Sequence, residues 1–153
     1  MKRKLVFVVA AILLVAMLTC VFAACGKKTE EEVVGYNDGT YTGRSQNFEG
    51  DDAGVGSGYG IVTLKIEGGE VTECEFLMYE LDGTLKDEHY GEDLTDENRR
   101  KAQYAVQSAT KYAKLFLRNG SLSKVSAISG ATISYNEFVQ AVEDALNKAK
   151  KTN

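Results

Sequence analysis

Two alternating runs meet at a Gly-Gly pair, and this limits the fold more than any other feature of the chain. Residues 60 to 66, Gly-Ile-Val-Thr-Leu-Lys-Ile, put Val62, Leu64 and Ile66 on one face and Thr63 and Lys65 on the other. A period of two describes a strand with one side turned to a core. Glu67-Gly68-Gly69-Glu70 follows, and two glycines can both take positive φ, so the pattern predicts a two-residue hairpin. The return strand, Val71 to Tyr79, sets Thr72, Cys74, Phe76 and Met78 against Val71, Glu73, Glu75, Leu77 and Tyr79. Cys74 then shares a face with Phe76 and Met78, where a buried structural thiol is expected. Gly39 to Gly43 reads as a further strand of the same sheet.

The second half changes period. Asp96 to Arg118 places Ala102, Ala105, Val106, Ala109, Ala113 and Phe116 at helical spacing, with Lys101, Lys111, Lys114 and Arg118 elsewhere on the wheel. Thr95 or Asp96 can cap its start, and Asn119-Gly120 can end it. A last helix, Tyr135 to about Ala149, has Phe138, Ala141, Val142, Ala145 and Ala149 on its inner face. Ser134-Tyr135-Asn136-Glu137 has the pattern of a capping box, which predicts a helix start at Ser134. Strands first and helices later give an α+β class: a small antiparallel sheet packed by two C-terminal helices. The chain has no proline, so no turn is fixed by one.

Ahead of this lies a different kind of sequence. Met1-Lys2-Arg3-Lys4 precedes an apolar run with no charge until Lys27, the layout of a signal peptide. The run is also long enough for a membrane anchor, and what separates the two is its end. Ala23-Ala24-Cys25-Gly26 resembles the lipobox of bacterial lipoproteins, in which the Cys25 sulfur would receive diacylglycerol and become the new N-terminus. Cys20, after Leu18-Thr19, lacks the small pair. The organisation expected is a signal peptide over residues 1–24, a polar tether over 25–35 and one domain over 36–150. Processing would leave Cys74 as the remaining free cysteine, so no intramolecular disulfide is available to staple the fold.

Charge narrows the partners. Residues 1–24 hold three of the 18 basic residues and none of the 22 acidic ones, so the remainder carries 15 minus 22, or −7. That balance argues against nucleic acid or anionic lipid as a partner. His89 is the only histidine and has no second ligand pattern around it, so no metal site is expected. The glycine-rich stretch from Asp51 to Gly60 lacks the Lys-Ser/Thr that completes a phosphate-binding P-loop. Asp82 to Glu88 lacks the acid spacing of an EF-hand.

Ser129-Gly130-Ala131-Thr132 is the stretch with chemistry in it. A threonine hydroxyl beside the positive end of a helix dipole suits a phosphate, and Gly130 permits a positive φ or a close approach. An ordinary turn before a capped helix is the simpler account of these residues taken alone.

Val125-Ser126-Ala127-Ile128-Ser129-Gly130-Ala131-Thr132-Ile133-Ser134, followed by Phe138, Ala141, Val142, Ala145 and Leu146, resembles the FMN-binding domain family. That family includes the C subunit of the sodium-pumping quinone reductase, the G subunit of the related Rnf complex and many bacterial lipoproteins. Tyr36 to Gly43 resembles its first strand, and the Gly60–Tyr79 hairpin fits its core. The family motif, Asp-x-x-Ser/Thr-Gly-Ala-Thr/Ser, ends in a hydroxyl joined to FMN by a phosphoester. The resemblance implies that Thr132 is that acceptor, with Ser129, Gly130, Ala131, Ile133 and Ser134 around the cofactor. It also implies a flavin transferase that takes FMN from FAD with magnesium. Ser126 stands where the motif has aspartate. Tyr79 to Thr84 stands where the family often has Glu-Thr-Pro-Gly.

The function implied is an extracytoplasmic electron carrier without a substrate-turnover site. Cys25 would hold it to the bacterial membrane, near a membrane-bound donor such as a quinone-linked oxidoreductase. The alternative is an envelope lipoprotein that binds a small ligand or a partner and carries no flavin.

Overall fold

A computed structural model describes residues 35–51 and 55–151. Strands β1 (Gly39–Arg44), β2 (Tyr59–Glu67) and β3 (Glu70–Tyr79) form one antiparallel sheet in the order β1-β2-β3. Glu67 pairs with Glu70 across the Gly68-Gly69 turn, whose φ angles are 64° and 80°. Helix α1 (Asp96–Asn119), a 3-10 turn (Leu122–Lys124) and helix α2 (Thr132–Ala149) complete the fold. Helix α1 lies against β3, and α2 lies against β1 and β2. This is the α+β arrangement expected. The signal peptide, most of the tether and Cys25 lie outside the described residues. No helix among the described residues is long and apolar enough to cross a membrane.

Helix α1 begins and ends as its sequence predicts. Thr95 accepts from the Asn98 N–H, acids follow in the first turn, and Gly120 closes the helix at φ 65° with its N–H on the Phe116 carbonyl.

Two local readings are corrected. The first concerns β3, where Thr72 is exposed and Val71 packs against the core instead. A shift in register between Lys65 and Ile66 explains this, because one extra residue reverses the faces beyond it. The second concerns α2, which starts at Thr132 with Ala131 at its N-cap and no side-chain capping bond. Ser134 is 3% exposed and Glu137 1%, so neither faces outward to form the expected capping box. Both belong to the buried face of the helix, and Thr132 sits in its first turn, not upstream of it.

The core is centred on Phe138. Its ring stacks on Tyr112 at 5.8 Å and meets Phe76 and Phe116 edge-on at 5.2 and 6.0 Å. Val62 and Leu64 from β2, Met78 from β3 and Ala141, Val142 and Ala145 from α2 fill the rest. Contact between β1 and α2 depends on Gly43, where a Cβ would overlap the Ala141 carbonyl and the backbone of Ala145. Cys74 is half-buried with a free thiol, and burial pushes that thiol up to about 12.

Candidate functional site

The segment between the 3-10 turn and α2 has no regular structure, yet two tyrosines tie it down. The Tyr112 hydroxyl accepts from the Ile128 N–H at 2.9 Å and donates to the Ala131 carbonyl at 3.0 Å. The Tyr135 hydroxyl donates to the Val125 carbonyl at 3.0 Å. Tyr112 is fully buried, so its ring belongs to the core while its tip governs the loop. Neither role was assigned from sequence. A signal was present: Tyr112 lies three residues after Ala109 and four before Phe116, on the apolar face of α1.

Within this segment, residues 128 to 131 make a turn in which the Ala131 N–H donates to the Ile128 carbonyl at 2.9 Å. Gly130 takes φ 81° at its third position, where glycine is the residue that fits without strain. A Cβ on Gly130 would sit 3.4 Å from the Tyr104 ring, so α1 flanks the turn closely. Lys111 Nζ lies 5.2 Å from the centre of that same ring.

The six residues singled out in sequence divide by exposure. Ser129, Gly130 and Thr132 are exposed, Ile133 is half-buried, and Ala131 and Ser134 are buried. Ile133 packs toward the glycine-rich stretch, since a Cβ on Gly56 would come 3.0 Å from its Cδ1. Thr132 is therefore open to solvent, whereas Ser134 is not.

Whether an anion fits here can be judged from the donor set. A helix leaves its first N–H groups without carbonyl partners, and α2 neither caps them with the Ala131 side chain nor carries an acid in its first turn. Local charge agrees. Residues 98 to 136 contain Arg99, Arg100, Lys101, Lys111, Lys114, Arg118 and Lys124 and no acidic residue. The net negative charge of the chain is thus unevenly spread, and the turn lies in its basic part. A groove of about 360 Å³ lined by Lys111, Lys114, Leu115, Arg118 and Ile128 borders it. These features suit an anion such as a phosphate.

A second cleft, of about 460 Å³, follows β3. Its lining includes Glu80, Asp87, Glu92, Asp93, His89 and Tyr90. His89 Nδ1 is 2.6 Å from Glu92 Oε1, and this contact raises the imidazole pKa. The four carboxylates make the cleft a poor seat for a phosphate. Tyr90 joins it to the glycine-rich stretch by accepting from the Gly56 N–H at 3.0 Å.

A family model described as FMN-binding domain matches residues 55–147. The chain is similar in fold to the CPE2226 protein from Clostridium perfringens, known from a crystal structure, with a TM-score of 0.54. The two are 23% identical, over 74% of this chain and 88% of that one. No curated protein matches the sequence.

Proposed function

The chain belongs to the FMN-binding domain family, and from that premise we propose that it carries electrons on an FMN joined through its phosphate to Thr132. The observation that supports this reading best is an exposed hydroxyl in the first turn of an uncapped helix, behind a turn pinned by Tyr112. The flavin ring supplies the redox chemistry. The residues of this chain supply position. In attachment, the Thr132 hydroxyl would give up its proton as its oxygen bonds to the FMN phosphorus, the diphosphate bond of FAD would break, and AMP would leave with that proton. A magnesium-dependent flavin transferase is the proposed catalyst, as the family resemblance implies.

Gly130 and Ile133 would present backbone to the phosphate, while the Ala131 N–H stays in the turn and Ser129 lies exposed beside it. Ser134 would contribute its N–H, because its side chain is buried. Esterification leaves the phosphate one negative charge, which the first turn of α2 and its basic neighbours can balance.

Anchoring belongs to the same proposal. A lipid on Cys25 would keep the domain in one plane with a membrane-bound electron donor and raise their encounter rate. The test of the carrier reading is co-expression with a flavin transferase, followed by acid precipitation. Flavin fluorescence should stay with the denatured wild-type protein and be absent from Thr132→Ala. Fluorescence that washes off the wild type would refute covalent carriage.

A further inference from the structure

Two ionisable side chains have left water altogether. The side chains of Lys86 and Glu137 are 2% and 1% exposed, with Nζ and Oε1 3.9 Å apart. That is too long for a hydrogen bond, and neither Glu137 oxygen has a hydrogen-bond partner among the described residues. A pair kept for stability would close to under 3 Å and satisfy its remaining lone pairs, because burying an open pair costs more than it returns. This one does neither. Such a carboxyl is suited to exchanging a proton: the neutral acid tolerates the dry site, and Lys86 keeps the anion within reach.

The surroundings hold the pair in place and define what it senses. The Lys86 N–H donates to the Met78 carbonyl, fixing the segment after β3 to the sheet. A Cβ on Gly60 of β2 would lie 3.0 Å from Glu137 Cβ and 2.6 Å from the Phe76 ring of β3, so these two residues wall the site. Lys86 Nζ is 5.2 Å from the Tyr90 ring centre. Lys86 is the ionisable group that acts on Glu137; Glu137 and Glu80 in turn act on Lys86 and Tyr90, and Asp51 acts on Tyr90. Burial raises the Glu137 pKa to about 7 against the pull of Lys86, which puts the exchange near neutral pH. Thr132 precedes Glu137 by five residues on α2, about 7.5 Å along the axis.

We propose that Glu137, with Lys86 as its counter-charge, is a buried proton-binding site whose occupancy follows the charge placed at Thr132. One proton from solvent bonds to a Glu137 oxygen, no other bond changes, and the pair passes from net zero to +1. Negative charge at the start of α2 favours the proton, and positive charge opposes it. This deepens the proposed function and rests on it in one respect: negative charge gained by the ring of a flavin attached through Thr132 would be offset by a proton entering at Glu137.

The test uses the flavin-free protein, so its result is separate from whether Thr132 is ever modified. Side-chain carboxyl carbons are followed by NMR from pH 4 to 9 in the wild type, Glu137→Gln, Thr132→Asp and Thr132→Lys. One glutamate should titrate near neutral pH and vanish in Glu137→Gln. Its midpoint should rise by about half a unit or more in Thr132→Asp and fall in Thr132→Lys. If Glu137→Gln fails to fold, Lys86→Met identifies the same resonance by moving its midpoint upward. No glutamate titrating above pH 6, or one midpoint shared by Thr132→Asp and Thr132→Lys, would overturn the proposal.

Discussion

The Tyr112 hydroxyl donates to the Ala131 carbonyl at 3.0 Å, directly before the first residue of α2. The same oxygen accepts from the Ile128 N–H, so one buried atom closes both ends of the turn that presents Thr132. Tyr112→Phe keeps the ring and removes the clamp. It should cost about 1–3 kcal/mol in denaturant unfolding, because a donor and an acceptor lose their partner. It should also slow flavin attachment more than that loss of stability explains. Full stability together with unchanged attachment would show that the clamp is incidental.

The Lys86–Glu137 pair predicts a pH dependence with a definite sign. Glu137 has a raised folded pKa, about 7 against 4.5, so its stability contribution is complete below about pH 4.5 and lost as pH rises through 7. The lost amount is on the order of 3 kcal/mol. Lys86 has a lowered pKa through burial, partly restored by Glu137 and Glu80. Lys86→Met should therefore cost about 2 kcal/mol at pH 8, where Glu137 must take up a proton to stay buried without its counter-charge. At pH 5 the carboxyl is neutral and the cost should fall to about 1 kcal/mol. The double variant Lys86→Met/Glu137→Leu should be close to wild type at pH 8. Equal losses from Lys86→Met at both pH values would contradict this account, and urea titrations at the two pH values decide it.

Gly43 is predicted to be intolerant of a single methyl group. An alanine there would drive its Cβ into the Ala141 carbonyl and the Ala145 backbone, so β1 and α2 would have to separate. Gly43→Ala should lose about 1–3 kcal/mol or more. Thermal and chemical unfolding measure this, and an unchanged midpoint would show that the two elements adjust freely.

How far the sequence exposed this fold can be seen residue by residue. The hairpin was legible because Gly68 and Gly69 admit few alternatives, and α1 because Thr95 and Gly120 mark its ends by local chemistry. The bulge at Lys65/Ile66 was not, since Val71 and Thr72 both suit a strand and only the partner's register decides between them. Ser134-x-x-Glu137 misled for a related reason. A capping box and an amphipathic helix with a buried acid share the same spacing, and the lysine that distinguishes them comes from the segment after β3. Of the site itself, the turn and its hydroxyl were visible in Ser129 to Thr132. The tyrosine clamp and the uncapped first turn needed the third dimension.

Cys25 lies outside the described residues, and the lipid proposed for it is tested biochemically. In a bacterial host, labelled fatty acid should enter the wild type and Cys20→Ala, and should be absent from Cys25→Ala. Labelling that persists in Cys25→Ala, or disappears in Cys20→Ala, would remove the anchor from the proposal.

The central claim is a phosphoester on one threonine, and peptide mass spectrometry reads it directly. After co-expression with a flavin transferase, the peptide containing Thr132 should gain the mass of FMN less one water. Thr132→Ala should lose that gain while unfolding within about 0.5 kcal/mol of wild type, because the residue is exposed and makes no capping bond. Ser126 is exposed, so Ser126→Asp, which restores the family motif, should raise the modified fraction. A wild-type peptide of unmodified mass, or flavin on a peptide without Thr132, would contradict the account.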